Sequence, residues 1–395
     1  MKNHQDILTD LPPFPTPEQA LPPDHEQIYP EQKRAIRTRV AAGLLIAASV
    51  AGGSEYYTGS PTYAVEAAYD YALNNGAAAS PETLAKVDSI VDRPANPELK
   101  ALKANSKTLL TSDEAETMHR KYELFTMKKA AEHGLTVIDP KPYREKIEQA
   151  NGVSDVTSVV NSYTKQLGFE FSVPEKRDLL DLSRDSGPID PSTIDPDKFK
   201  KGAEVFVSAL ASTPKEVITQ AAKVRELRLV DHMDKMENKV IGDFEPEGKA
   251  NLTTGVISIP LKSFYEGKPT IYPHEIGHRL DKEENGGQAG QYRDARYRTL
   301  NPPNFIYGDA NSPDLKTAVA DPYGATNIPE DKGKLYERML NGLSTDYLYR
   351  APDPIRAKYR ELLGRLEETV PGSVGYLMDV SGGTDLPDKY EQELN

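Results

Sequence analysis

Five consecutive residues, His274-Glu275-Ile276-Gly277-His278, constrain the fold of this chain more than any other part of it. An H-E-x-x-H pattern brings its two imidazoles together on an α-helix, where four residues make about one turn and both rings project from one face. The flanking sequence carries the signals such a helix needs. A start near Thr270 puts Pro273 in the first turn, where its missing N–H has no helical acceptor to lose. A stop is expected at Asn285-Gly286-Gly287. Paired in this way, the two rings can share one metal ion. Glu275 lies beside them, where its carboxylate can take a proton from a water that the metal activates. Zn²⁺ suits such donors because it is redox-inert, accepts imidazole nitrogen and carboxylate oxygen, and leaves a fourth position open.

Composition narrows the alternatives. The chain has 395 residues and no cysteine, which removes disulfides, thiolate metal sites and cysteine nucleophiles together. Any metal must be held by His, Asp and Glu, and only seven histidines are present. With 48 Lys+Arg against 61 Asp+Glu the net charge is −13. No basic run exceeds two residues, so the chain lacks the cationic surface that nucleic-acid binding requires.

The first 30 residues contain seven prolines, and residues 1–32 read as a disordered Pro-rich tail. Residues 33–55 hold the basic cluster Lys33, Arg34, Arg37 and Arg39, followed by an apolar run, 40–53, broken only by Ser49. No Lys or Arg then occurs before Lys86, a charge asymmetry that favours a signal anchor with the remainder of the chain outside the cytoplasm. The run is short and Ala/Gly-rich, and an ordinary buried helix is the competing reading; on that reading a cytoplasmic or a secreted chain is also open. Residues 56–190 are expected to be mainly helical, with caps at Ser80 and Ser112, and a connection is expected over 188–197. Residues 191–395 are expected to be the catalytic part: a helix over 199–210, strands at 224–230 and 255–259, the H-E-x-x-H helix, and a helix over 328–343. Asp181 to Gly187 reads as a turn.

A third protein ligand is needed. Asp281 and Glu284 stand where the elongated motif of the metzincins has Gly and a third His, so that arrangement is excluded. The other histidines (4, 25, 119, 133 and 232) are distant in sequence, which leaves carboxylates. Downstream the chain reads Tyr323-Gly324-Ala325-Thr326-Asn327-Ile328-Pro329-Glu330-Asp331. HEIGH together with YGATNIPED resembles the gluzincin metallopeptidases of the anthrax lethal factor type, which include secreted bacterial Pro-Pro endopeptidases. The resemblance covers about 60 residues directly and implies a zincin-like domain binding Zn²⁺ through His274, His278 and Glu330. It further implies Glu275 as general base and Tyr323 as hydrogen-bond donor to the oxyanion. After Glu330 the chain leaves the family pattern, having Asp331-Lys332-Gly333-Lys334-Leu335 in place of an aromatic-rich run.

From the residues alone, other assignments stay open. Asn327 and Glu330 have the spacing of a capping box, so Glu330 can be a helix cap, with Asp281, Asp309 or Asp321 as ligand instead. Tyr323 sits in good turn sequence. Asp281 reads by default as a solvated helix charge, or else as an acceptor orienting an imidazole. The expectation is an α+β chain with a small sheet, in which the 255–260 strand forms the edge beside the cleft. It would act as a zinc-dependent endopeptidase on a protein or peptide substrate. The rival is a catalytically silent, membrane-anchored interaction module whose zinc site is structural or lost.

Overall fold

The computed structural model describes residues 78–91, 93–94, 96–105, 112–174, 189–285, 294–341 and 351–381. The expected tail, the 33–55 segment with its anchoring run 40–53, and the turn at 181–187 lie outside these residues. Among the described residues no helix is long and apolar enough to cross a membrane.

The chain is α+β. Helices α1 (Pro81–Val91), α2 (Pro97–Asn105), α3 (Ser112–Glu132), α4 (Lys141–Gln149) and α5 (Val153–Leu167) precede strand β1 (Glu170–Ser172). Helix α6 (Pro196–Ala209) leads to β2 (Glu226–Val230), β3 (Lys249–Ala250) and β4 (Val256–Pro260). Then come α7 (Leu261–Glu266), α8 (Ile271–Glu284), α9 (Ile328–Leu340), α10 (Asp353–Thr369) and α11 (Ser373–Ser381). The starts follow local chemistry. Ser80 Oγ accepts the Thr83 N–H, and the Asp195 carboxylate accepts those of Asp197 and Lys198, with Pro196 opening α6.

The sheet order is β1-β2-β4-β3. β1, β2 and β4 run parallel, Leu227 facing Phe171 on one side and Ile257 on the other, while β3 is antiparallel to β4. This corrects the expected edge. The 255–260 segment is an interior strand, consistent with its buried run Ile257-Ser258-Ile259-Pro260, and β3 is the edge. A two-residue strand carries no hydrophobic periodicity by which it could be read in advance.

The expected division near residue 190 falls inside a single compact unit, residues 77–395. β1, from the segment expected to be a separate helical region, pairs with β2, and Tyr163, Phe171, Phe206 and Tyr272 belong to one apolar core. Phe199, Phe206 and Phe264 are fully buried there, each contributing about 1.5–3 kcal/mol by removal from water. Phe206 meets Tyr272 of α8 edge-on at 4.9 Å, which seats the H-E-x-x-H helix on this core. At the other end of the chain, α1 packs on α10 and α3 on α11.

Candidate metal centre

Helix α8 begins after Thr270 and ends at Asn285, with Pro273 in its first turn, as the sequence predicts. His274 and His278 lie one turn apart, their ring centroids separated by 4.7 Å. Helix α9 crosses α8 directly beneath them, at a contact that two glycines permit. A Cβ on Gly277 would stand 2.7 Å from the Cβ of Tyr336, and one on Gly333 would stand 2.9 Å from Cε1 of His274. Both are closer than real Cβ contacts, so a side chain at either position forces the helices apart.

This crossing carries Glu330 to the imidazoles. Its Oε2 lies 3.2 Å from His274 Nε2 and 3.3 Å from His278 Nε2. Atoms bound tetrahedrally at about 2.0–2.2 Å from one ion stand roughly 3.3–3.5 Å apart, so the spacing is compatible with an ion such as Zn²⁺. His274, His278 and Glu330 form a group that could hold a metal ion. The two readings of Asn327 and Glu330 prove compatible: Asn327 Oδ1 accepts the Glu330 N–H at 3.0 Å, while the Glu330 carboxylate faces the histidines. The other acids are engaged elsewhere. Asp321 caps the turn that carries Tyr323, Asp309 accepts the Asn311 N–H, and Asp281 is bound to Lys332. Asp281 is therefore neither solvated nor directed at an imidazole. It is fully buried, which corrects the default expectation.

Glu275 is buried and lies under the edge strand. Its Oε2 has no hydrogen-bond partner, and the Ala250 backbone N–H of β3 faces its carboxylate. Burial pushes the Glu275 carboxyl above its ordinary value, against the pull of the two histidines. Gly248 leaves the room this requires, since a Cβ there would sit 2.8 Å from Glu275 Oε1. Burial also disfavours charge on His274, but Glu330 and Glu337 outweigh it and push the imidazole up to about 10. Burial pushes Glu330 up, but the two histidines outweigh it and hold it well below the usual carboxylate range, while burial, Glu330 and Glu275 together push Tyr323 well above the usual phenol range. Tyr323 thus keeps its hydroxyl proton. It sits in a 3₁₀ turn, Pro322–Thr326, with its ring 6.0 Å from that of His274 and 5.5 Å from Phe244.

His274, Glu275 and Tyr323 border a cleft of about 260 Å³ whose wall also includes Ile241, Phe244, Gly248 and Lys334. Sequence reasoning missed Glu337. Its Oε2 stands 3.3 Å from His274 Nδ1, without the alignment of a hydrogen bond, and 2.9 Å from Lys334 Nζ, so a second carboxylate lies against the ring on the side away from Glu330. Its seven-residue spacing from Glu330, two turns along α9, was the available signal. Compared with models of known protein families, with curated proteins and with solved structures, the chain matches none.

Proposed function

We propose that this chain is a zinc-dependent endopeptidase of the gluzincin type that its HEIGH and YGATNIPED segments resemble. The observation that carries the reading is the convergence of His274 Nε2, His278 Nε2 and Glu330 Oε2 beside a buried glutamate with one unpartnered oxygen. A purely structural site has no use for that fourth residue.

In this reading His274, His278 and Glu330 hold Zn²⁺, which when bound supplies Lewis acidity, lowering the pKa of water to roughly 7 and polarising a carbonyl. Glu275 takes the water's proton on Oε2 and returns it to the leaving amine. Tyr323 donates its phenol hydrogen bond to the developing oxyanion. Glu337 sets a second carboxylate beside the His274 ring. The outer edge of β3, beside Glu275, offers backbone groups to an extended peptide. The proposed location, with anchoring through 40–53 and the catalytic part outside the cytoplasm, is read out separately by protease accessibility on whole cells.

The test is zinc per chain by native mass spectrometry for wild type, His274→Ala and Glu330→Ala, followed by a peptide-library digest. One zinc in wild type, lost or weakened in both variants, with cleavage that a chelator abolishes, is the expected result. A chain without zinc, or one that retains it in both variants, overturns the assignment. Zinc without cleavage of any peptide favours a binding scaffold.

A further inference from the structure

The two residues that follow Glu330 are buried charges that the chemistry above does not use. Successive residues on an α-helix point about 100° apart. Glu330, Asp331 and Lys332 therefore leave the first turn of α9 in three different directions, Glu330 and Lys332 toward two different parts of α8 and Asp331 toward α10. Glu330 faces the histidines of α8 above the helix crossing. Asp331 Oδ2 accepts hydrogen bonds from Lys358 Nζ of α10 at 2.6 Å and from the Tyr307 hydroxyl at 2.7 Å. Lys332 Nζ donates to Asp281 Oδ1 of α8 at 2.5 Å and to Asp294 Oδ2 at 2.6 Å. Asp294 is bound in turn by Arg365 of α10 at 2.6 Å. Lys332, Asp281 and Asp294 have no exposed side-chain surface, and Asp331 and Lys358 have almost none.

We infer that Asp331 and Lys332 are positioning residues for the third metal ligand: their opposed ion pairs fix the rotation of α9 about its axis and so aim Glu330 at the two imidazoles. Leu335, Tyr336 and Met339 seat α9 on the core, and the ion pairs add directional contacts nearer its first turn. Around the crossing, α9 presents Gly333, which has no side chain to interlock, and a turn of the helix by a few tens of degrees would carry the Glu330 carboxylate away from the rings. Directional charge-assisted bonds on two other faces resist it. Buried ion pairs gain little net stability over apolar packing of similar volume, so a positional role accounts for charges that stability alone does not require. The run Asp331-Lys332-Gly333, where the chain leaves the resembled family pattern, is on this view its own support for the ligand.

The inference rests on the proposed metal site, and a double-mutant cycle on the full-length chain separates the two. Zinc affinity is measured by chelator competition for wild type, Lys332→Met, Glu330→Ala and the combination, with unfolding midpoints of the apo forms alongside. The variant Asp281→Asn/Lys332→Met serves as a second form that leaves no unpaired carboxylate on α8. Lys332→Met and the Asp281→Asn/Lys332→Met variant are each expected to weaken zinc 10–100-fold, the usual range for a residue acting through a ligand. The Co²⁺ absorption spectrum is expected to shift. In the Glu330→Ala background Lys332→Met is expected to have no further effect, because the residue it positions is gone. Equal affinity in wild type and a folded Lys332 variant overturns the inference alone, as does an equal loss with and without Glu330. Absence of zinc from wild type overturns the metal reading and the inference together.

Discussion

Two groups of buried charges lie against the same pair of helices, and they are completed differently. In the lower group, Asp281 and Asp294 face Lys332, and Asp294 also faces Arg365, so every carboxylate has a permanently cationic partner from the chain itself. In the upper group, the cationic partners of Glu330 and Glu275 are imidazoles alone, and those imidazoles respond by holding their protons more tightly, His274 up to about 10. The lower group is paired within the chain: its cations stand at hydrogen-bond distance from the carboxylates, with only Asp281 Oδ2 left without a partner. The upper group opens on a cleft and lacks a permanent cation at its centre. The same negative field that retains protons there favours a divalent ion. Burial and charge do not by themselves distinguish a scaffold from a site; the identity of the group that supplies the opposite charge does.

The largest expected effect separates chemistry from binding within the upper group. Glu275→Gln should lower kcat by roughly 10²–10⁴-fold while leaving one zinc per chain, measured by single-peptide kinetics and native mass spectrometry together. A variant that turns over like wild type would remove Glu275 from the mechanism.

The lower group should give a stability effect instead. Asp294→Ala removes the buried carboxylate that Lys332 and Arg365 share, leaving them Asp281 and Glu361 alone, and is expected to cost about 3–5 kcal/mol in urea unfolding. A loss below about 1 kcal/mol would show that water reaches this cluster and that the contrast with the upper group is overstated.

A buried carboxylate outside both groups sharpens the comparison through pH. Burial pushes Glu123 up, but His119, Arg144 and Arg120 outweigh it and bring it down to about 2 from an ordinary 4.5. Because the folded pKa is the lower one, this stabilisation is complete above the ordinary value and is lost as pH falls toward 2. It is expected to amount to roughly 2–3 kcal/mol. Unfolding midpoints of wild type and Glu123→Gln should differ at pH 6 and converge near pH 2. Curves that stay parallel would mean that Glu123 gains no net stabilisation from its cations.

The smallest expected effect is steric. Gly248→Ala places a methyl group against the Glu275 carboxylate and should reduce kcat/KM about tenfold with zinc content unchanged. Loss of zinc instead would tie the edge strand to the metal ligands and not to the base alone.

Local signals made much of this legible in the sequence. The α8 boundaries, the caps at Ser80 and Asn327, and the pairing of His274 with His278 depend on contacts within one or two turns, which is the range over which sequence spacing specifies geometry. Glu330 was proposed through a resemblance, since its approach to the histidines spans 52 residues and depends on a helix crossing that only Gly277 and Gly333 allow. Asp281 illustrates the limit. On a helical wheel it reads as a surface charge, and it is buried because Lys332, 51 positions later, comes to meet it. The edge strand was misassigned for the same reason: β4 contains an apolar run that can be read, whereas β3 is a strand only because β4 is beside it. The sequence by itself therefore determined the helices that carry the site, their caps and the two histidines, whose geometry is set along the chain. The third ligand's aim, the second carboxylate on His274, the partners of the buried charges and the edge of the sheet were decided only by tertiary structure, because each depends on which distant group arrives to satisfy a charge or a backbone edge.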